Sequence, residues 1–144
     1  MKAIAEILDQ KGGMVLCVDE NESVLDAIGL MADVNIGAVL VKRQDTIAGI
    51  FTERDYLQKI VLEDRASSVT RVKDVMSSPV ISAKPDDTVT DCMEVMTNCR
   101  CRHLPIVEGD KLLGIVSIGD LVKCVVEEKQ QEIDQLNQYI AGSY

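Results

Sequence analysis

The chain has 144 residues, 47% of them hydrophobic and 27% charged, which is enough apolar material for one compact domain or two half-size ones sharing a core. A formal net charge of -9 repels polyphosphate backbones and anionic lipid at long range, arguing against general nucleic-acid or membrane-surface binding and leaving any anionic ligand to a local basic cluster. No apolar run reaches the length of a membrane span, Met1-Lys2-Ala3-Ile4-Ala5-Glu6 lacks a signal-peptide pattern, and the scattered Cys17, Cys92, Cys99, Cys101 and Cys124 make no disulfide framework, so a reducing, cytoplasmic setting is expected.

Ile4, Ile7 and Leu8 fall at helical spacing and predict a short lead-in helix that Gly12-Gly13 stops. Met14-Val15-Leu16-Cys17-Val18 reads as an apolar strand, followed by a helix capped by Ser23 whose inner face carries Val24, Leu25, Ile28, Met31 and Ala32. Residues 37–41 and 46–51 read as a hairpin turning through Lys42-Arg43-Gln44-Asp45, and a helix follows from Glu53 with Tyr56, Leu57, Ile60 and Val61 on its apolar side. The polar stretch 63–70 reads as a linker.

The order then restarts, with a strand at Val80-Ile81-Ser82-Ala83, a helix bearing Val89, Cys92, Met93 and Met96, a hairpin over 104–107 and 111–116, and a last helix. At an offset of sixty-five residues Val15 meets Val80, Val24 meets Val89, Met31 meets Met96, Gly49-Ile50 meets Gly114-Ile115 and Asp55 meets Asp120, an ungapped internal duplication. The expected division is residues 1–65, the first repeat with its lead-in helix, and 66–144, the second with the linker and C-terminal helix. A β-α-β-β-α unit lays both helices on one face of a small sheet and needs cover on the other, so the predicted fold is α/β, two tandem repeats related by a pseudo-twofold axis. The last helix runs on with Val122, Val126, Lys129, Ile133, Leu136 and Ile140 at alternating steps of four and three, a stripe that either packs back on its own domain or takes a second subunit.

The best-marked repeat is Gly49-Ile50-Phe51-Thr52-Glu53-Arg54-Asp55 and its copy Gly114-Ile115-Val116-Ser117-Ile118-Gly119-Asp120, a strand running through a hydroxyl and an Asp into a helix. A helix start offers free N–H groups and a positive dipole end to a phosphate. The same spacing is also a capping box, in which hydroxyl and carboxylate satisfy orphan backbone donors, and each motif alone supports either reading. The copies differ in charge: Arg54 stands where the second has Gly119, and Arg102 and His103 stand where the first has Gly37 and Ala38. His103, the only histidine, has no catalytic partner near it in sequence, and with Arg100 and Arg102 it reads as an anion handle, so no enzyme is expected. Cys99-x-Cys101 with His103 falls short of the four ligands a structural zinc site usually needs. Cys99, Cys101 and Cys92 align with Val34, Ile36 and Ala27, which reads these thiols as small core hydrophobes.

These motifs resemble the tandem cystathionine-beta-synthase (CBS) domain pair, or Bateman module, across nearly the whole chain. The likeness is carried by residues 49–56, by Arg100-Cys101-Arg102-His103-Leu104-Pro105-Ile106, by residues 114–121 and by Leu136-Asn137-Gln138-Tyr139-Ile140. It is nearest to small free-standing pairs of bacteria and plant organelles. The resemblance implies a sensing module that binds adenosine nucleotides (AMP, ADP, ATP, or in some members NAD or S-adenosylmethionine) and signals to a partner protein. It implies Asp55 and Asp120 on ribose hydroxyls, Thr52 and Ser117 on ribose or phosphate, backbone near Val15 and Val80 toward adenine, and Arg54, Arg102 and His103 toward phosphate. Gly37, Ala38 and Gly119, the counterparts of those cations, complete the candidate nucleotide-binding set. The linker Arg65-Ala66-Ser67-Ser68 departs from the Arg-Ser-Ser-Lys pattern of close relatives, which weakens any phosphate contact there. A homodimer is expected. The other reading is a dimeric interaction adaptor, for instance of a thioredoxin-type redox partner, with nucleotide sites that are structural or vestigial.

Overall fold

Four helices of the chain start in the same way, with a hydroxyl residue followed three positions on by Asp, and each start is a closed cap. The computed structural model describes residues 2–12 and 15–142. Its elements are α1 (Ile4–Lys11), β1 (Cys17–Asp19), α2 (Val24–Val34), β2 (Ala38–Arg43), β3 (Thr46–Thr52), α3 (Glu53–Asp55) continuing as a π-helical turn (Tyr56–Val61), a 3-10 turn (Val72–Asp74), α4 (Val89–Cys99), β4 (His103–Glu108), β5 (Lys111–Ser117) and α5 (Ile118–Ile140). The side-chain oxygens of Ser23, Thr52, Thr88 and Ser117 accept the N–H of Asp26, Asp55, Asp91 and Asp120 at 3.1, 3.3, 3.1 and 3.2 Å. In the last three the Asp carboxylate returns the bond to the cap residue's own N–H, so two orphan donors are satisfied at once.

The chain forms two compact units, one of residues 15–81 and one of residues 2–12 together with 82–142. The first has a three-stranded sheet in which β1 runs parallel to β2 and β2 antiparallel to β3; the second has the antiparallel pair β4–β5. Both hairpins turn through a left-handed residue, Gln44 (φ 56°) in one and Gly109 (φ 61°) in the other. The strand expected over 80–83 shrinks to a single parallel bridge between Ala83 and Ile106. Sequence supplies the reason. In the first unit Leu40 donates its N–H to the Leu16 carbonyl at 3.2 Å, and the residue standing in for Leu40 in the second is Pro105, which has no N–H.

The two repeats exchange their leading segments. The lead-in helix docks on the second repeat, where Ile4 and Ala5 donate their N–H groups to the carbonyls of Asp87 and Pro85 at 2.8 and 3.0 Å, and Val89 N–H returns to Lys2 O at 3.2 Å. The segment leading into the second repeat docks on the first through the matching bonds: Val72 and Lys73 donate to Glu22 and Glu20 at 2.9 and 3.0 Å, and Val24 N–H returns to Thr70 O at 2.8 Å. Each strap also completes a core. Ile4 and Ile7 are buried among Val89, Cys92, Met96, Leu104, Val116 and Leu121, as Val72 and Val75 are among Val18, Val24, Met31, Val41, Phe51 and Ile60. Each compact unit thus draws on both sides of the division expected at residues 65 and 66.

Several apolar faces differ from expectation. On α2 the buried positions are Val24, Ala27 and Met31, with Ile28 packed beside them, while Leu25 is 50% exposed and Ala32 is exposed too, because both lie one residue past the inward stripe of a 3.6-residue period. The π-helical turn brings Tyr56 and Ile60 onto the core and leaves Leu57 and Val61 outside. Along α5 the expected stripe does not pack back: Val122, Val126, Ile133, Leu136 and Ile140 are all exposed. The expectations at Gly13 and Met14 lie outside the described residues. Val15 is half-buried and precedes β1, and Val80 is half-buried and belongs to no strand.

Each strap lies across a glycine. A Cβ on Gly49 would stand 2.5 Å from Met76 Sδ and 2.9 Å from the Ser77 carbonyl oxygen, whereas one on Gly114 would meet only the tip of Leu8, at 2.7 Å. Backbone cannot yield as a side-chain tip can. Gly49→Ala is expected to lower stability by about 1–3 kcal/mol and Gly114→Ala by less than about 1 kcal/mol, measured by urea unfolding.

Candidate functional site

At Asp55 the carboxylate is 5% exposed and its acceptor capacity is filled. Oδ2 accepts the Thr52 N–H at 3.0 Å and the Thr52 hydroxyl at 3.2 Å; Oδ1 accepts the Ser77 hydroxyl at 2.8 Å and faces Lys59 Nζ at 3.1 Å. A carboxylate has about four acceptor positions, and here four donors meet them. The site is framed by β2, since Ala38 pairs with Thr52 and Gly37 O accepts the Glu53 N–H at 3.1 Å. Arg54 is exposed one residue before Asp55.

Asp120 occupies the matching place in the other unit with different company. His103 pairs with Ser117, and Arg102 O accepts the Ile118 N–H at 2.9 Å, so Arg102 and the start of β4 run alongside the motif. Asp120 Oδ2 accepts the Ser117 N–H at 2.8 Å and Lys11 Nζ at 2.8 Å, and the Ser117 side chain bonds the carboxylate as well. Lys11 also donates to the Ile115 carbonyl at 3.0 Å. The Asp120 side chain is 25% exposed and that of Lys11 39%, so the pair is solvent-screened. Partial burial opposes ionisation of Asp120, but the Lys11 ammonium and the Ser117 N–H outweigh it and hold the carboxyl below the usual Asp range.

The expected site residues therefore fall into two sets. Thr52, Arg54, Asp55, Gly37 and Ala38 come together in one unit; Ser117, Gly119, Asp120, Arg102 and His103 in the other. Val15 and Val80 fall outside the strands. Three participants were not foreseen: Lys59, Ser77 and Lys11. Lys59 was readable, four residues after Asp55 on one helix. Ser77 and Lys11 reach their carboxylates from the straps, and nothing local marks them.

The cysteines separate by surroundings. Burial, with Asp87 and Asp91 adding to it, pushes the Cys92 thiol up to about 11; burial also raises Cys17, Cys124 and Cys101, the last with help from the hydrogen-bonded Cys99. Cys92 and Cys124 are buried core residues, but Cys99 is exposed, which corrects its reading as a core hydrophobe. Its aligned partner Val34 is itself exposed. Among the described residues no group of three or more His, Cys, Asp or Glu is placed to hold a metal ion, and no helix is long and apolar enough to cross a membrane.

Comparison with known proteins gives consistent likenesses. The CBS domain model matches twice, over residues 14–62 and 72–127. The mitochondrial CBS domain-containing protein CBSX3 of Arabidopsis thaliana is 39% identical over 98% of this chain and 73% of its own length. The CBS domain-containing protein YhcV of Bacillus subtilis is 30% identical over 97% of this chain and 92% of its own. Among solved structures, one from Burkholderia ambifaria MC40-6, described as a candidate signal-transduction protein with CBS domains, superposes with a TM-score of 0.84 at 46% identity, covering 88% of this chain and 95% of that one.

The contrast between the carboxylates has a measurable result. Asp55→Asn is expected to cost about 2–3 kcal/mol, because buried charge-assisted bonds are lost, and Asp120→Asn about 1 kcal/mol or less. Because the folded pKa of Asp120 is depressed, its contribution is complete above the ordinary Asp value of about 3.9 and is lost as pH falls through the lower folded value. Chemical denaturation of both variants at pH 7 and pH 3 reads both effects. Alkylation by iodoacetamide followed by mass spectrometry should label Cys99 first and Cys92 about tenfold or more slowly, since the thiolate is the reacting species.

Proposed function

The chain belongs to the CBS-domain family, with the domain present twice, and from that premise we propose that it is a regulatory protein, not an enzyme, that binds adenosine nucleotides and passes their level to a partner protein. The observation that carries this reading is the surroundings of Asp120. A partly exposed carboxylate stands in the first turn of a 23-residue helix, beside Arg102 and His103. A carboxylate can accept vicinal ribose hydroxyls, the helix start favours a phosphate through its N–H groups and dipole, and the two basic residues supply counter-charge in a chain of net charge -9. Gly119 helps, because a Cβ there would meet only Ser117 Oγ at 3.6 Å and the backbone stays open to approach. Thr52, Arg54, Asp55, Gly37 and Ala38 form the matching candidate set in the other repeat, and the backbone near Val15 and Val80 is the candidate adenine contact. AMP, ADP, ATP and NAD are the proposed ligands.

A homodimer is part of the proposal, supported by the exposed Val126, Ile133, Leu136 and Ile140 at heptad-like spacing on α5. The same stripe supports the second reading, a dimeric adaptor, for instance of a thioredoxin-type redox protein, in which the nucleotide sites are structural. A reducing compartment, the cytoplasm, suits the free cysteines.

Isothermal calorimetry with AMP, ADP, ATP and NAD separates the two readings: heat of binding is expected for at least one of them. Thermal melting gives a second readout, since a ligand at 100 times its Kd adds about 2.7 kcal/mol of stability. Silence from all four at millimolar concentration selects the adaptor, steady release of phosphate or nicotinamide contradicts the non-enzymatic half, and a monomer by light scattering at micromolar protein contradicts the dimer.

A further inference from the structure

The straps close the two carboxylates by different means. In one unit Ser77 pairs through its backbone with Ile50, N–H to O at 2.9 Å and O to N–H at 3.0 Å, and its hydroxyl donates to Asp55 at 2.8 Å. In the other unit the matching carbonyl, Ile115, and the matching carboxylate, Asp120, are both met by one side chain, Lys11, at 3.0 and 2.8 Å. A single ammonium stands where the first unit uses an amide and a hydroxyl.

The consequences for access are unequal. Uncovering Asp55 means breaking a two-bond backbone bridge and displacing Lys59 as well, and the carboxylate has no acceptor position to spare. Uncovering Asp120 needs only a rotation of an exposed lysine about its own side-chain bonds. We infer that the two motif carboxylates have different roles: Asp120 receives the ribose hydroxyls, with Lys11 as the group they displace, and Asp55 is a structural fastener of its own unit. The inference rests on the nucleotide reading above and narrows it to one ligand per chain. Lys11 then sets affinity, because every ribose that binds competes with it.

The test is calorimetry on the full chain with AMP and with adenosine. The wild type should bind one AMP per chain. Asp120→Asn should weaken AMP at least about tenfold. Lys11→Met should tighten adenosine about two- to fivefold, the range expected on releasing an exposed ion pair. Two AMP molecules per chain, undiminished affinity in Asp120→Asn, or adenosine binding that is unchanged or weaker in Lys11→Met would overturn this inference while leaving the nucleotide reading in place. Absence of binding by the wild type to AMP, ADP, ATP and NAD would overturn both.

Discussion

Both units depend on a strap laid across a glycine. Without a Cβ at positions 49 and 114, Met76 and Leu8 reach the sheet backbone, and the apolar residues four before and one before each of them can then enter a core that neither repeat completes from its own continuous sequence. Three matching backbone hydrogen bonds set both straps in the same register, so burial and polar satisfaction agree on one arrangement. Once the straps are set, what they carry at their ends is set too: Ser77 in one unit and Lys11 in the other, each delivered to a carboxylate at a helix start.

The capping boxes show how little a motif says when its surroundings are ignored. Thr88 and Asp91 form the same closed cap as Thr52 with Asp55 and Ser117 with Asp120, and bonding from Thr88 depresses the Asp91 carboxyl as well. Asp91 bonds back to Thr88 and is otherwise exposed. A cap becomes a candidate site through what packs against it, and that information is long-range.

The legible part of this sequence was therefore what duplication and short-range periodicity encode. Both hairpins, the hydroxyl caps at Ser23, Thr52 and Ser117, the place of the motif at the end of a strand and the long last helix could all be read from residue order. Pro105 also carried its message openly, as the missing donor that shortens the second sheet, though the repeat alignment alone hides it by pairing it with Leu40. The π-helical turn after Asp55 left no compositional mark, so Leu57 and Val61 read as inward. The exposure of Cys99 was lost through its partner, because Val34 was assumed to be core. Exchange of the straps was least legible, since the residues that meet are about eighty or more positions apart for α1 and the sequence around them is ordinary for a helix and a linker. The candidate set came from the motif; Lys59, Ser77 and Lys11, which meet its carboxylates, did not.

The strap exchange also bears on the order in which the protein can assemble on the ribosome. Residues 15–81 hold everything their core requires, and that unit can close once its strap has emerged. Its counterpart has the opposite schedule. Ile4 and Ile7 are synthesised well before the surfaces that bury them, which end with Leu121 and Cys124, so this apolar segment must wait for more than a hundred further residues. Contacts of such long sequence separation form late and slowly, and a waiting apolar strap is a segment for a chaperone to shield. The lead-in helix is, in that sense, made early and placed late.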